Sequence, residues 1–327
     1  MRTWNTLRLA GIVAAVVAPV LIGAQPAHAA NERLAAFYKN QVDPHFGLVR
    51  GGVEAVVKQM GAGAVTHYAP TRPNNLAEQL SQIEDVSVKR PDAILFMAVD
   101  PRGVVPAIEK VNAAGIPVLN YNDRVAGGKY TTYVGADDFK LGLDTGRYAL
   151  RAIGGEGLVV IIEGVKGSTT SDQRVAGFNK AIEEFPKIKL LASQPGNFQR
   201  LPALQVMENL MQAHPRIDMV LAAADAMALG AVEALEAAGR KTAKVVGING
   251  VPEAIAAIKA GRLLATGEFD GYKIGCVAAT AALRGLRGQP VPATIILQGT
   301  VIDRSNLGPW DVPMDKRVCP KWEEVAR

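Results

Sequence analysis

The sequence predicts an α/β protein built as two doubly wound parallel-sheet lobes. Three observations predict it. Short apolar runs recur along the chain, and they are continuous rather than alternating, as in strands covered on both faces. Amphipathic stretches with helical spacing lie between them. The alternation also comes in two successive series with short connections, which implies two parallel sheets with right-handed crossovers.

The first series of strands runs Leu34–Lys39, Ala64–Tyr68, Ala93–Ala98 and Pro117–Tyr121. Val104, Val105, Ile108 and Val111 fall on one helical face before the fourth of these. A break follows near Tyr133–Asp138, where the short run Tyr130–Val134 gives way to Gly135, Ala136 and a pair of aspartates. The second series is Leu158–Glu163, Lys189–Ser193, Met219–Ala223 and Lys244–Ile248. Its helices show in Val206, Leu210 and Met211, and again in Met227, Leu229, Val232 and Leu235. After Leu263–Glu268 come a long helix, Gly271–Leu286, and a final strand near Ala293–Val301. These last elements exceed what the second lobe needs, and a chain that crosses between lobes more than once would absorb them. The tail from Asn306 to Arg327 reads as an irregular extension.

Met1 to Arg8 carries two arginines and no acid, Leu9–Gly23 is almost wholly apolar, and Ala27-His28-Ala29 places small residues in an A-x-A frame. This is the pattern of a secretory signal peptide cleaved after Ala29. The apolar stretch, interrupted by Pro19, is too short to cross a hydrocarbon core of ~30 Å. With no cysteine near the cleavage site, lipid attachment there is not available, and the mature chain is expected free in the periplasm. In that oxidising compartment Cys276 and Cys319 could form a disulfide tying the tail to a helix, or stay as two unpaired thiols. Spacing alone does not decide between them.

Composition narrows the function. The chain has 327 residues, 49% of them apolar and 20% charged, enough for a core and unlike a disordered chain. Without Arg2 and Arg8 of the leader the formal charge falls from +5 to +3, with no basic run, so nucleic acid is not an expected partner. Two cysteines and four histidines exclude a structural zinc site or a disulfide scaffold. No G-x-G-x-x-G follows the first strand, and Gly61 and Gly63 precede a strand, so a dinucleotide site is disfavoured. In Gly164-Val165-Lys166-Gly167-Ser168-Thr169 the lysine precedes the second glycine instead of following it. Neither G-x-S-x-G nor H-E-x-x-H occurs, and His45, His67 and His214 are far apart. No catalytic residue, metal ligand or cofactor is expected.

In doubly wound sheets ligands sit beyond the carboxyl ends of the strands. The polar residues there are Asn122, Asp123 and Arg124 after the fourth strand, then Thr170, Asp172 and Arg174 after the next. Phe198 and Arg200, then Asp225, then Asn249 follow the later strands. Acids, amides and guanidinium groups beside aromatic faces suit a ring bearing several hydroxyls, since each hydroxyl both donates and accepts. Asp225 reads equally well as a helix cap, because it immediately precedes Ala226–Ala238.

From Arg33 to Val301 the chain resembles the periplasmic sugar-binding proteins of the ribose-binding type, with the type I periplasmic binding protein fold. The resemblance is carried by Arg90-Pro91-Asp92-Ala93-Ile94-Leu95, Val99-Asp100-Pro101, and Ala114-Gly115-Ile116-Pro117-Val118 with Asp123-Arg124. It continues in Arg174 with Gly177-Phe178, Ala192-Ser193-Gln194-Pro195, Asp225-Ala226-Met227-Ala228-Leu229-Gly230, Val245-Val246-Gly247-Ile248-Asn249-Gly250 and Leu263-Leu264-Ala265-Thr266. It implies an ABC-importer solute receptor whose lobes, joined by a three-strand hinge, close over a sugar. The implied units are a leader (1–29), a first lobe (30–136 plus 269–297), and a second lobe with the tail (137–268 plus 298–327). The implied ligand contacts are Asp43, His45, Phe46, Asp123, Arg124, Arg174, Phe198, Asp225, Asn249 and Phe269.

The chain departs from the ribose-type pattern in four places. Asp43-Pro44-His45-Phe46 stands for Asn-Pro-Phe-Phe, Ala224 for an asparagine, Asn249 for an aspartate, and Phe269 near the hinge glutamine. An unpaired ligand hydroxyl costs ~1–3 kcal/mol, so ribose itself is disfavoured, and another pentose, a hexose, a polyol, a cyclitol or a non-sugar is open. The expected partners are this small ligand and an inner-membrane ABC permease, with the receptor a monomer. Docking on a chemoreceptor or sensor kinase is the alternative role. A repressor core would need a DNA-binding segment that the leader replaces, and an exported enzyme would need a nucleophile–base pair.

Overall fold

The computed structural model describes residues 31–326 together with Met1, so the leader and its cleavage site lie outside the described residues. The first half of the chain forms β1 (Arg33–Phe37), α1 (Pro44–Gln59), β2 (Ala64–Tyr68), α2 (Leu76–Lys89), β3 (Ala93–Phe96), α3 (Val105–Ala113), β4 (Val118–Tyr121) and β5 (Thr132–Ala136). There follow α4 (Asp138–Ala152), β6 (Glu156–Glu163), α5 (Thr169–Glu183), β7 (Lys187–Pro195), α6 (Arg200–Ala213), β8 (Met219–Ala222), α7 (Asp225–Ala237), β9 (Lys244–Asn249), α8 (Pro252–Lys259) and β10 (Ala265–Glu268). The chain ends with α9 (Gly271–Leu286), β11 (Thr294–Leu297), β12 (Val301–Ile302) and α10 (Trp322–Val325).

These strands make two six-stranded sheets, ordered β11-β5-β4-β3-β1-β2 and β12-β10-β9-β8-β6-β7. Every pairing is parallel except that of β10 with β12. β3, β4 and β8 are buried along their whole length, because helices cover both faces, and this is why their sequences are continuously apolar. β7 is an edge strand with most residues only half buried, so it runs further than the apolar stretch Lys189–Ser193 suggests.

The chain passes between the sheets three times: after β5, between β10 and α9, and between β11 and β12. The expected last strand, Ala293–Val301, is therefore two strands in different sheets. Gly299 marks the crossing: a Cβ there would lie 2.3 Å from the Glu268 carbonyl oxygen, so only glycine lets the two crossing segments touch.

Cys276 of α9 and Cys319 are joined in a disulfide, with Cα atoms 5.6 Å apart. The bond ties to α9 the end of a tail expected with the second lobe. Asp303 still belongs there, accepting a bond from the Tyr148 hydroxyl of α4 (2.9 Å). Beyond it the chain turns to the first lobe, where Trp322 lies under the Arg284 guanidinium of α9 and α10 packs on α9 and β11. Among the described residues no helix is long and apolar enough to cross a membrane.

Candidate functional site

The lobes meet over the carboxyl ends of their strands. Ser168, the N-cap of α5, donates from its hydroxyl to Asp123 Oδ1 across the gap (3.0 Å). The cavity left between them is small, about 30 Å³, room for a water or two, because the two faces lie close together. Lys39, Asp43, His45, Phe46, Asn122 and Asp123 line it from the first lobe, and Thr170, Arg174, Phe198 and Asn249 from the second, with Phe269 on a crossing segment.

Asp123 is fully buried at the end of β4. Burial by itself would raise its carboxyl, but Lys39 Nζ at 2.5 Å and the Asn122 amide (2.8 Å) hold it below the usual range. Asn122 has φ +65°, the left-handed turn that aims its side chain back into the site. Its amide nitrogen serves Asp123, so its Oδ1 accepts from His45 Nε2 at 3.0 Å. That fixes the imidazole tautomer and leaves Nδ1 a bare acceptor, and that atom has no hydrogen-bond partner. Asp43 caps α1 by accepting from the His45 amide (3.0 Å), with Pro44 at the first helical position. Burial pushes the Asp43 carboxyl up to about 6.

Arg174 is the counterpart in the second lobe, 1% exposed. It is brought in by α5, which lies against α4 at backbone distance: a Cβ on Gly142 would come within 2.2 Å of the Arg174 carbonyl oxygen. The guanidinium donates from Nε to Asp138 Oδ1 (2.8 Å) and from Nη1 to the Ala223 carbonyl (2.8 Å) and Asn249 Oδ1 (3.1 Å). Its Nη2 has no partner. Burial raises the Asp138 carboxyl to about 6 despite Arg174.

Two aromatic faces complete the site. Phe269 is stacked on His45 (centroids 5.2 Å apart, planes 14°) and has the Arg174 guanidinium 4.7 Å from its ring. Phe198 lies 5.6 Å from Lys39 Nζ. Phe198 and the preceding Asn197 both have positive φ, +58° and +55°, a costly pair for residues with a Cβ. Gly164 makes room for the ring, since a Cβ there would stand 2.1 Å from it.

Eight of the ten expected residues thus converge on the cavity, and two do not. Arg124 is exposed and lies over the Tyr133 ring at 4.1 Å, because the turn after Asp123 carries it outward. Asp225 is buried but spent: Oδ1 accepts from Thr266 Oγ1 (2.6 Å) and Oδ2 from the Val251 amide (2.9 Å), fastening the β9–α8 turn. Nor does it cap α7, whose N-cap is Ala224. Lys39, Asp138 and Asn74 were missed. Lys39 closes the expected strand Leu34–Lys39 and so reads as strand, although its strand-end position was a usable signal. Asp138 was visible as half of the acidic pair after β5, and Asn74 gave no signal.

The Periplasmic binding protein domain model matches residues 34–290. This chain belongs to that family. The ribose import binding protein of Escherichia coli K12 is 30% identical over 289 residues, covering 88% of this chain and 96% of that one. A periplasmic solute-binding protein of an ABC transporter from Actinobacillus succinogenes, solved with bound D-allose, superimposes with a TM-score of 0.80 at 31% identity, covering 85% and 99%. An ABC transporter solute-binding protein from Bacillus halodurans, solved with bound myo-inositol, gives 0.79 at 25% identity, covering 87% and 99%.

His45 gives this family member a pH signature. Burial pushes its imidazole down to about 4 from the ordinary 6.5. A lowered histidine contributes stability that is present above pH 6.5 and lost as the pH falls through about 4. Asp43 and Asp138, both raised, act in the opposite sense between their ordinary value and about 6. Comparing wild type with His45→Phe isolates the histidine. From pH 7 to 4 the variant should gain on wild type by up to roughly 3 kcal/mol, read as unfolding midpoints against pH. Parallel profiles would contradict it.

Proposed function

We propose that this chain is the periplasmic solute receptor of an ABC importer, taking one small polyhydroxylated ligand (a sugar, polyol or cyclitol) between its closing lobes. The observation that carries this reading is the set of groups that face this cavity from both lobes. It combines buried carboxylates and amides, a guanidinium with one N–H pair unused, a bare imidazole nitrogen and two aromatic faces. Hydroxyls can accept from Arg174 Nη2 and donate to His45 Nδ1 or Asp43, while apolar ring faces meet Phe198 and Phe269. The residues proposed to touch ligand are Asp43, His45, Phe46, Asp123, Arg174, Phe198, Asn249 and Phe269, with Lys39 added. Because both lobes supply contacts, ligand favours closure, and closure is the signal a permease reads.

The relatives support this ligand class by what they are named for or were solved with: ribose, D-allose and myo-inositol. Export through a cleaved leader, without a lipid anchor, and action as a monomer beside an inner-membrane permease belong to the same reading. No nucleic acid, metal or cofactor enters it. The lobes are taken as 30–136 plus 269–297 and 137–268 plus the segment from 298, the end of the tail returning to the first.

A thermal-shift screen of the chain from Ala30 onward, refolded to strip carried-over ligand, tests this. The panel holds pentoses, hexoses, polyols, cyclitols, amino acids and nucleosides. A ligand at a thousand times its Kd adds ~4 kcal/mol to the native state, a rise on the order of 10 °C in Tm. A response to a polyhydroxylated compound is expected. A response only to amino acids or nucleosides overturns the ligand class.

A further inference from the structure

We propose that the C-terminal tail is a strap across the hinge, and that Arg317 is a positioning residue that holds the hinge segment carrying Phe269. This rests on the two-lobe binding reading above. The strap is fixed at both ends. On the second lobe, Trp310 packs beside Gly250 of the β9–α8 turn, and Asp311 pairs with Lys259 of α8 (2.6 Å). On the first, Met314 sits on Gly51 of α1, and the Tyr272 hydroxyl donates to the Arg317 carbonyl (3.1 Å). Cys319 is then locked to Cys276 on α9, so this end cannot peel away.

Between the anchors the slack is small. Four residue steps separate Trp310 from Met314, and an extended chain spans at most ~3.6 Å per step. The lobes therefore cannot part by more than about 14 Å at this edge while both anchors hold. Opening beyond that must break contacts present in this structure, so the strap limits how far the lobes part.

Arg317 joins the strap to the hinge. Its side chain is buried, donating to the Trp310 carbonyl (3.2 Å), the Val312 carbonyl (3.4 Å) and Asp270 Oδ1 (3.5 Å). The same Asp270 oxygen caps α9 by accepting from the Tyr272 and Lys273 amides. Asp270 directly follows Phe269, the ring wedged between His45 of the first lobe and Arg174 of the second. A shift at Asp270 moves that ring. The fork geometry matters, since a lysine could reach Asp270 as a point charge but could not hold both carbonyls as well.

The test compares wild type, Arg317→Ala, Arg317→Lys and the double variant Cys276→Ser/Cys319→Ser, all well below their Tm. Probes are D-ribose, D-allose, D-arabinose, xylitol and myo-inositol. For whichever binds wild type, Arg317→Ala should raise Kd about tenfold, mostly through faster dissociation. Arg317→Lys should fall between, and the cysteine pair should move the same way. A tail with only a structural role would lower Tm and leave dissociation unchanged, and that outcome overturns the proposal. Small-angle scattering of the ligand-free proteins needs no ligand. There a larger radius of gyration is expected for Arg317→Ala and the cysteine pair, and an unchanged one overturns the strap. Silence of wild type toward all five probes speaks against the sugar reading and leaves the scattering result to judge the strap.

Discussion

Arg174→Ala should weaken ligand binding at least about tenfold, since a charge-assisted donor is lost and a ligand hydroxyl is left unpaired. It should also destabilise the protein. Asp138 lies under the guanidinium, 7% exposed, and Arg174 is the partner that offsets its burial. Breaking a buried pair from one side costs about 3–5 kcal/mol. The pH dependence follows from Asp138, which burial already holds up at about 6 in the intact protein. Without Arg174 that carboxyl rises further, so the variant's deficit grows as the pH rises above about 6 and is full only above the variant's own raised value. It vanishes at lower pH, where the acid is protonated in both proteins. Adding Asp138→Asn should return much of the stability and none of the binding. Calorimetric titration and denaturation midpoints read the two effects separately. Wild-type affinity in Arg174→Ala would remove the residue from the site.

Asp123→Ala should be nearly as severe, for the mirrored reason. Its carboxylate holds Lys39 Nζ at 2.5 Å, and the lysine side chain is 7% exposed. Removing the acid strands a buried ammonium, again at about 3–5 kcal/mol. It also deletes the acceptor for Ser168, a direct hydrogen bond between lobes beside the cavity. Affinity should fall at least about tenfold, with both lost closure and lost contact contributing. Lys39→Met in the same chain should recover stability, because an apolar residue of similar length tolerates burial. It should not recover binding. If the double variant binds as wild type does, Asp123 serves only to neutralise Lys39.

The order of elements was legible because parallel strands covered on both faces must be apolar throughout, as β3, β4 and β8 are. Strand ends, and so the level of the site, were legible for the same reason. Direction was not. Asp123 and Arg124 are adjacent in sequence, yet one is fully buried in the site and the other is exposed on Tyr133. Asp225 stands at the correct level and faces Thr266 instead of the cavity.

By itself, the sequence determined two lobes with parallel sheets, elements in excess of the second lobe, and a strand-end set suited to hydroxyls. That set includes Asp123, Arg174, Phe198 and Asn249 of the cavity lining, while Asp43, His45, Phe46 and Phe269 came from the resemblance to the ribose-binding type. Hydrophobic periodicity and strand-end position are local properties, written along the chain. Only the tertiary structure decided the rest. It paired Cys276 with Cys319, split the last strand between two sheets, and brought the tail back onto the first lobe. It also neutralised Asp123 with Lys39 and Asp138 with Arg174. Those pairings join residues from 36 to 84 positions apart. No local pattern encodes a partner at such a distance, because which buried charges meet is set by how the elements pack.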